Sequence, residues 1–110
     1  MKQRDIWMAD LNPVIGSEQK GTRPVVVISG NAMNDNLGIG IVCPLSSKLK
    51  NYAGCLIVRK NQTNGLANDS EVVTFQVRTI SRLRLTRKLG EITTDQLAAL
   101  KKGLSEILTY

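Results

Sequence analysis

At 110 residues the chain is long enough to bury a core without disulfide or metal staples, and a hydrophobic fraction of 42% argues against disorder. The formal net charge of +6, from 15 Lys and Arg against 9 Asp and Glu, favours an anionic partner. There is no histidine, which excludes an imidazole acid or base and a histidine-ligated metal.

The N-terminal MKQRDIW lacks an apolar signal region, and no run approaches the roughly 18 apolar residues that span a bilayer. The expectation is a cytoplasmic, soluble protein with one domain over residues 1–110. Cys43 and Cys55 sit in strand-like surroundings at a spacing that matches no metal motif, so both are expected to be reduced core residues.

In chain order, Ile6 to Ala9 reads as a first strand, followed by a turn at Asn12-Pro13. A polar loop bracketed by Gly16 and Gly21 leads through Arg23-Pro24 into Val25 to Ser29, an apolar run expected to be a central buried strand. Residues 30 to 38, rich in Asn and Gly, read as a surface loop. Ile39 to Pro44 is a third strand, and Pro44, which has no N–H to donate, should end it or make it bulge. Cys55 to Arg59 is a fourth strand, Asn61 to Ser70 a polar connection and Val72 to Val77 a fifth strand. Arg82 to Leu85 alternates as a half-exposed strand does, and Lys88 to Glu91 adds a short last one.

The period then changes. Thr93 and Gln96 form a capping-box pattern, and Leu97, Leu100, Leu104, Ile107 and Leu108 recur at helical spacing. Gly103 is expected to weaken that helix by about 1 kcal/mol relative to alanine. The fold class is therefore mainly β: a small, strongly bent barrel of short antiparallel strands with one C-terminal α-helix.

Several residues could carry chemistry. Arg23 stands where loop meets strand, and its guanidinium suits a phosphate and the charge that builds on it in a transition state; a salt bridge that pins the loop to Glu18 is the alternative. Ser46 and Ser47 follow the third strand beside Lys48 and Lys50, either as an anion site or as turn caps. Glu18, with Gln19 beside it, is either a base or a solvated loop acid. Arg78, Arg82, Arg84, Arg87 and Lys88 place five positive charges in eleven residues, which fits a phosphate-tracking surface or simply one polar strand face. Trp7 and Phe75 read as core residues, whereas Tyr52, in a loop near Lys50, is the candidate for stacking on a base.

Taken together, Asp5-Ile6-Trp7, Asp10-Leu11-Asn12-Pro13, the loop GSEQKGTRPVVVIS, Val42 to Ser47 and Gln76 to Ile80 resemble the MazF/PemK family of toxin endoribonucleases, in order along the chain. The resemblance implies an SH3-like barrel, a homodimer, and metal-independent, sequence-specific cleavage of single-stranded RNA. No cofactor is implied. The family's catalytic arginine falls on Arg23, its threonine on Ser46 and its loop glutamate on Glu18; Ser46 keeps the hydroxyl and loses the methyl. A lysine of some members matches Lys50. Ser17, Gln19, Lys20, Thr22, Ser47, Lys48, Tyr52 and Gln76 are the remaining substrate-binding candidates. Where some relatives carry an arginine and an aspartate as acid and base, this chain has Val73 and Phe75. The family also implies an acidic antitoxin that covers the RNA groove. A gyrase-binding toxin of the same fold and a non-catalytic RNA-binding barrel are the alternatives.

Overall fold

Val25, Val26 and Val27 are all wholly buried in the computed structural model, which describes the chain apart from Val14, Ser17, Gln19 and Lys20. Successive strand residues point to opposite faces, so three buried valines in a row need cover on both sides. Their strand, β2, lies antiparallel to neighbours on both edges. The order along the chain is β1 (Asp5–Asp10), β2 (Thr22–Val27), the short helix α1 (Asn31–Asn36), β3 (Ile39–Ser46), β4 (Leu56–Val58), β5 (Ser70–Val72), β6 (Arg78–Ser81), β7 (Leu85–Glu91) and the helix α2 (Thr94–Thr109). Among the described residues the sheet runs β4-β5-β3-β2-β1-β7, with β6 paired to β3 off that path. All of these pairings are antiparallel. The expected mainly β architecture with a late helix is what forms.

Each face of β2 has its own core. Val26 packs with Ile6, Cys43, Leu45 and Val72 beneath Leu97 and Leu100 of α2. Val25 and Val27 meet Ala9, Leu11, Val42 and Ile80. The turn after β4 closes against β7: the Glu91 N–H donates to the Thr63 carbonyl at 3.1 Å, and a Cβ on Gly90 would stand 2.1 Å from that same oxygen.

Helix α2 starts at the expected capping box: Thr93 Oγ1 accepts from the Gln96 N–H at 3.0 Å, and Gln96 Oε1 accepts from the Thr93 N–H at 2.9 Å. Its apolar stripe is narrower than the spacing suggests, because Leu108 is 78% exposed. Gly103 is not a weak point in the helix. It is buried, and a Cβ there would lie 2.1 Å from the Gly54 carbonyl oxygen. The missing side chain is what lets α2 approach the 53–54 turn.

Four local expectations fail, each for a physical reason. Residues 31–36 form a helix instead of an open loop, because the buried Asn34 amide donates to the Ser29 carbonyl and so satisfies polar groups that the sequence shows as loop-like. β3 runs straight through Pro44. It pairs with β6 up to Val42 and with β5 from Leu45, so Pro44 sits in the gap between partners, where no ladder donor is needed. The expected strand over 72–77 stops at Val72, and Thr74–Gln76 form a 3₁₀ turn. Buried Thr74 drives this turn by donating its hydroxyl to the Gly54 carbonyl at 2.6 Å. Finally, Arg82–Arg84 form a second 3₁₀ turn capped by Ser81, and the last strand begins only at Leu85.

Both cysteines are free thiols. Cys43 is buried, and desolvation, with a smaller contribution from neighbouring Cys55, pushes its thiol up to about 12. It therefore stays neutral and unreactive at neutral pH. Cys55 is only half-buried.

The approach of α2 to Gly54 yields a test. Helix propensity alone favours Gly103→Ala by about 1 kcal/mol, but forcing a methyl against a backbone carbonyl costs about 1–3 kcal/mol or more. Urea denaturation is expected to give a lower midpoint for Gly103→Ala than for the wild type; a higher midpoint would mean that the contact does not constrain the helix.

Candidate active site

The segment between β1 and β2 is held at its base. The Leu11 N–H donates to the Gly21 carbonyl at 3.1 Å, and the Gly21 N–H to Asn12 Oδ1 at 3.2 Å. Arg84 donates to the Asp10 and Asn12 carbonyls, and Arg78 to that of Leu11 at 3.4 Å. Glu18 projects from this segment, exposed, with Oε1 accepting from the Ile15 N–H at 2.6 Å. Ser17, Gln19 and Lys20 lie outside the described residues.

Arg23 belongs to β2 itself, so its backbone is fixed by the sheet opposite Ala9. Val25 pairs with Pro44. Arg23 and Ser46 each lie two residues beyond that pair along their strands. Ser46, at the end of β3, is largely buried, and its Oγ accepts from the Lys48 N–H at 3.2 Å. It does cap a turn, as the plain reading of a serine pair suggests. Its own proton remains a donor, because a hydroxyl can accept and donate at once.

Directly across from Ser46 in the β3/β5 register stands Glu71. This carboxylate is 1% exposed. Its Oε1 accepts from the N–H groups of Lys50 at 2.7 Å and Asn51 at 2.8 Å, and its Oε2 from that of Tyr52 at 2.9 Å. Three charge-assisted bonds fix the turn that holds Lys48, Lys50 and Tyr52 above Ser46. Asn51 at the centre has a positive φ of 56°. The sequence reading missed Glu71, since a lone acid in an apolar strand carries no motif. The available signal was an acid in a run that otherwise reads as buried, because a buried carboxylate has to be satisfied.

The candidates divide among three cavities. Ser46, Lys48, Lys50, Tyr52 and Gln76 line one of about 250 Å³ together with Glu71, Val73 and Phe75. Glu18 and Gln76 line another of about 420 Å³ with Leu11, Pro44, Phe75, Val77 and Arg78. Phe75 and Gln76 are common to both, so the two form neighbouring parts of one surface. Thr22, Arg23 and Ser47 line a third of about 460 Å³, beside Arg87. Strand register, not a shared cavity, relates Arg23 to Ser46.

Phe75 departs from expectation. The 3₁₀ turn swings it out of the core, leaving it 49% exposed and edge-on to Tyr52. The run of positive charges departs too. Arg78 and Arg84 hold the β1–β2 segment, Lys88 pairs with buried Asp5 at 3.2 Å, and Arg82 and Arg87 are exposed on different elements. The stretch is divided among β6, a 3₁₀ turn and β7 and is not one strand face. Among the described residues no group of three or more Cys, Asp or Glu is placed to hold a metal ion.

If Glu71 anchors the turn, Glu71→Gln replaces one acceptor oxygen by a donor facing the Tyr52 or Lys50 N–H. The expected cost is about 2–3 kcal/mol by chemical denaturation, with a larger KM for any substrate held by Lys48, Lys50 and Tyr52. An unchanged midpoint would remove Glu71 from this role.

The comparisons with known proteins agree in one direction. The chain is 34% identical over 109 residues to endoribonuclease MazF9 of Mycobacterium tuberculosis, a match covering 94% of this chain and 92% of that protein. The crystal structure of MazF from Deinococcus radiodurans is 26% identical and superposes with a TM-score of 0.86 over 100% of this chain and 97% of that one. An endoribonuclease from a mycobacterial species, solved in complex with its cognate antitoxin, shares the fold with a TM-score of 0.80 at 18% identity, over 98% of this chain and 94% of that one. No helix among the described residues is long and apolar enough to cross a membrane. The sequence profile of the PemK-like, MazF-like toxins of type II toxin–antitoxin systems matches residues 2–108, and the chain belongs to that family.

Proposed function

We propose that the chain is a cytoplasmic endoribonuclease toxin, active as a homodimer of one 110-residue domain, that cuts single-stranded RNA at short sequence motifs. What supports this reading is the pairing of Val25 with Pro44, beyond which Arg23 and Ser46 each stand two residues along adjacent strands, and the cavity that Ser46 shares with Lys48 and Lys50. The endoribonuclease relative with 34% identity supports it.

The substrate brings its own nucleophile. The 2′-hydroxyl attacks the adjacent phosphorus, a 2′-O–P bond forms, and the P–O5′ bond breaks. Glu18 takes the 2′ proton. Its Oε1 accepts from the Ile15 N–H, and among the described residues Oε2 has no partner and serves as the base. Arg23 donates to the non-bridging oxygens as negative charge builds on them. Ser46 donates a hydrogen bond to one of those oxygens and keeps its proton, while the Lys48 N–H holds the Oγ in place. The 5′ oxygen leaves with a proton from solvent. The products are a 2′,3′-cyclic phosphate, which opens to a 3′-phosphate, and a 5′-hydroxyl. Thr22, Ser47, Lys48 and Lys50, with Ser17, Gln19 and Lys20 on the preceding loop, hold the flanking nucleotides. The net charge of +6 suits an acidic antitoxin that folds across the same surface.

Arg23→Ala is expected to lower cleavage of a long defined RNA by about a hundredfold or more while the protein remains folded, and the wild type is expected to cut equally well in excess EDTA. Wild-type rates in Arg23→Ala would refute the assignment, and loss of activity in EDTA would refute metal independence.

A further inference from the structure

Tyr52 and Phe75 come from different elements, each held in place by a buried polar anchor. The Tyr52 N–H is fixed by Glu71, and Phe75 is turned outward by the 3₁₀ turn that buried Thr74 bonds to Gly54. The rings meet edge to face, with centroids 5.3 Å apart and planes at 82°. In this geometry one ring offers only its edge, so its own faces are not used by the pair. Each residue remains 49% exposed. Two large apolar rings held half in water do little for the core. They line the same cavity as Ser46, Lys48 and Lys50. Both lysines are exposed, and among the described residues neither ammonium is paired with a carboxylate.

Resting on the RNA-cleaving reading above, we propose that Tyr52 and Phe75 form a stacking platform for one nucleobase of the bound RNA, next to the scissile phosphate at Ser46, with Lys48 and Lys50 taking the phosphates on either side. An open aromatic face, braced edge-on by a second ring and flanked by cations, matches a nucleotide in single-stranded form: the base stacks and the backbone is neutralised. Stacking reads no hydrogen-bond pattern. The platform therefore sets which nucleotide lies beside Ser46 and contributes affinity, while base identity is read elsewhere.

The test uses a short, fully 2′-O-methylated oligoribonucleotide, which binds without being cut, and a set of the same oligonucleotide with one abasic position each. The wild type is expected to lose roughly five- to a hundredfold in affinity at one abasic position. Tyr52→Ala and Phe75→Ala are expected to lose a similar factor on the intact oligonucleotide and nothing further at that position, whereas Tyr52→Phe binds as the wild type does. An abasic series with no sensitive position overturns the platform, as does alanine variants binding at full affinity. Alanine variants that keep RNA affinity but lose binding to an acidic antitoxin peptide overturn it in favour of a protein contact. If unmodified RNA is bound through the sensitive position yet stays intact, the platform stands and the nuclease reading fails.

Discussion

A single buried carboxylate organises the candidate site. Glu71 faces Ser46 across a strand pair and takes three consecutive N–H groups from the turn that follows β3. Those N–H groups have no ladder partner of their own, and Glu71 would be costly to bury without donors. Each side satisfies the other. The result is a turn rigid enough to hold two cations and an aromatic ring above a hydroxyl, without disulfide or metal. Positioning of this kind is what lets a site act on charge as it develops, with no reorganisation at the moment of reaction.

Positive charge in this chain does two kinds of work, and composition alone does not separate them. Arg84 and Arg78 are spent on backbone carbonyls of the β1–β2 segment, and Lys88 neutralises buried Asp5. Among the described residues Lys48 and Lys50 have no such partner, and they face a cavity. The second group is placed to meet a phosphate backbone, and it lies after β3, outside the arginine-rich stretch where sequence density is highest.

Much of the frame was legible in the residues. Three valines in succession announced a strand covered on both faces, and Thr93 with Gln96 announced the helix start. Other features depended on contacts between distant residues. Pro44 looks like a strand breaker until the change of partner beside it is known. Phe75 looks like core because its neighbours are apolar, and only the hydroxyl of Thr74 reaching Gly54 shows that the chain turns there. Gly103 looks like a defect until the Gly54 carbonyl is placed against it. For the site, the loop-to-strand position of Arg23 and the strand-end position of Ser46 were readable in the sequence. Glu71 was not, because its role is defined by three N–H groups some twenty residues earlier in the chain.

The central claim is that the RNA supplies the attacking oxygen while the protein stabilises the charge. The most direct measurement replaces one 2′-hydroxyl with hydrogen at the mapped cleavage position of an otherwise unmodified RNA. The account predicts that this RNA is bound as before and is left intact at that bond. Scission there at the ordinary rate would require a nucleophile from the protein or from water, and would contradict it.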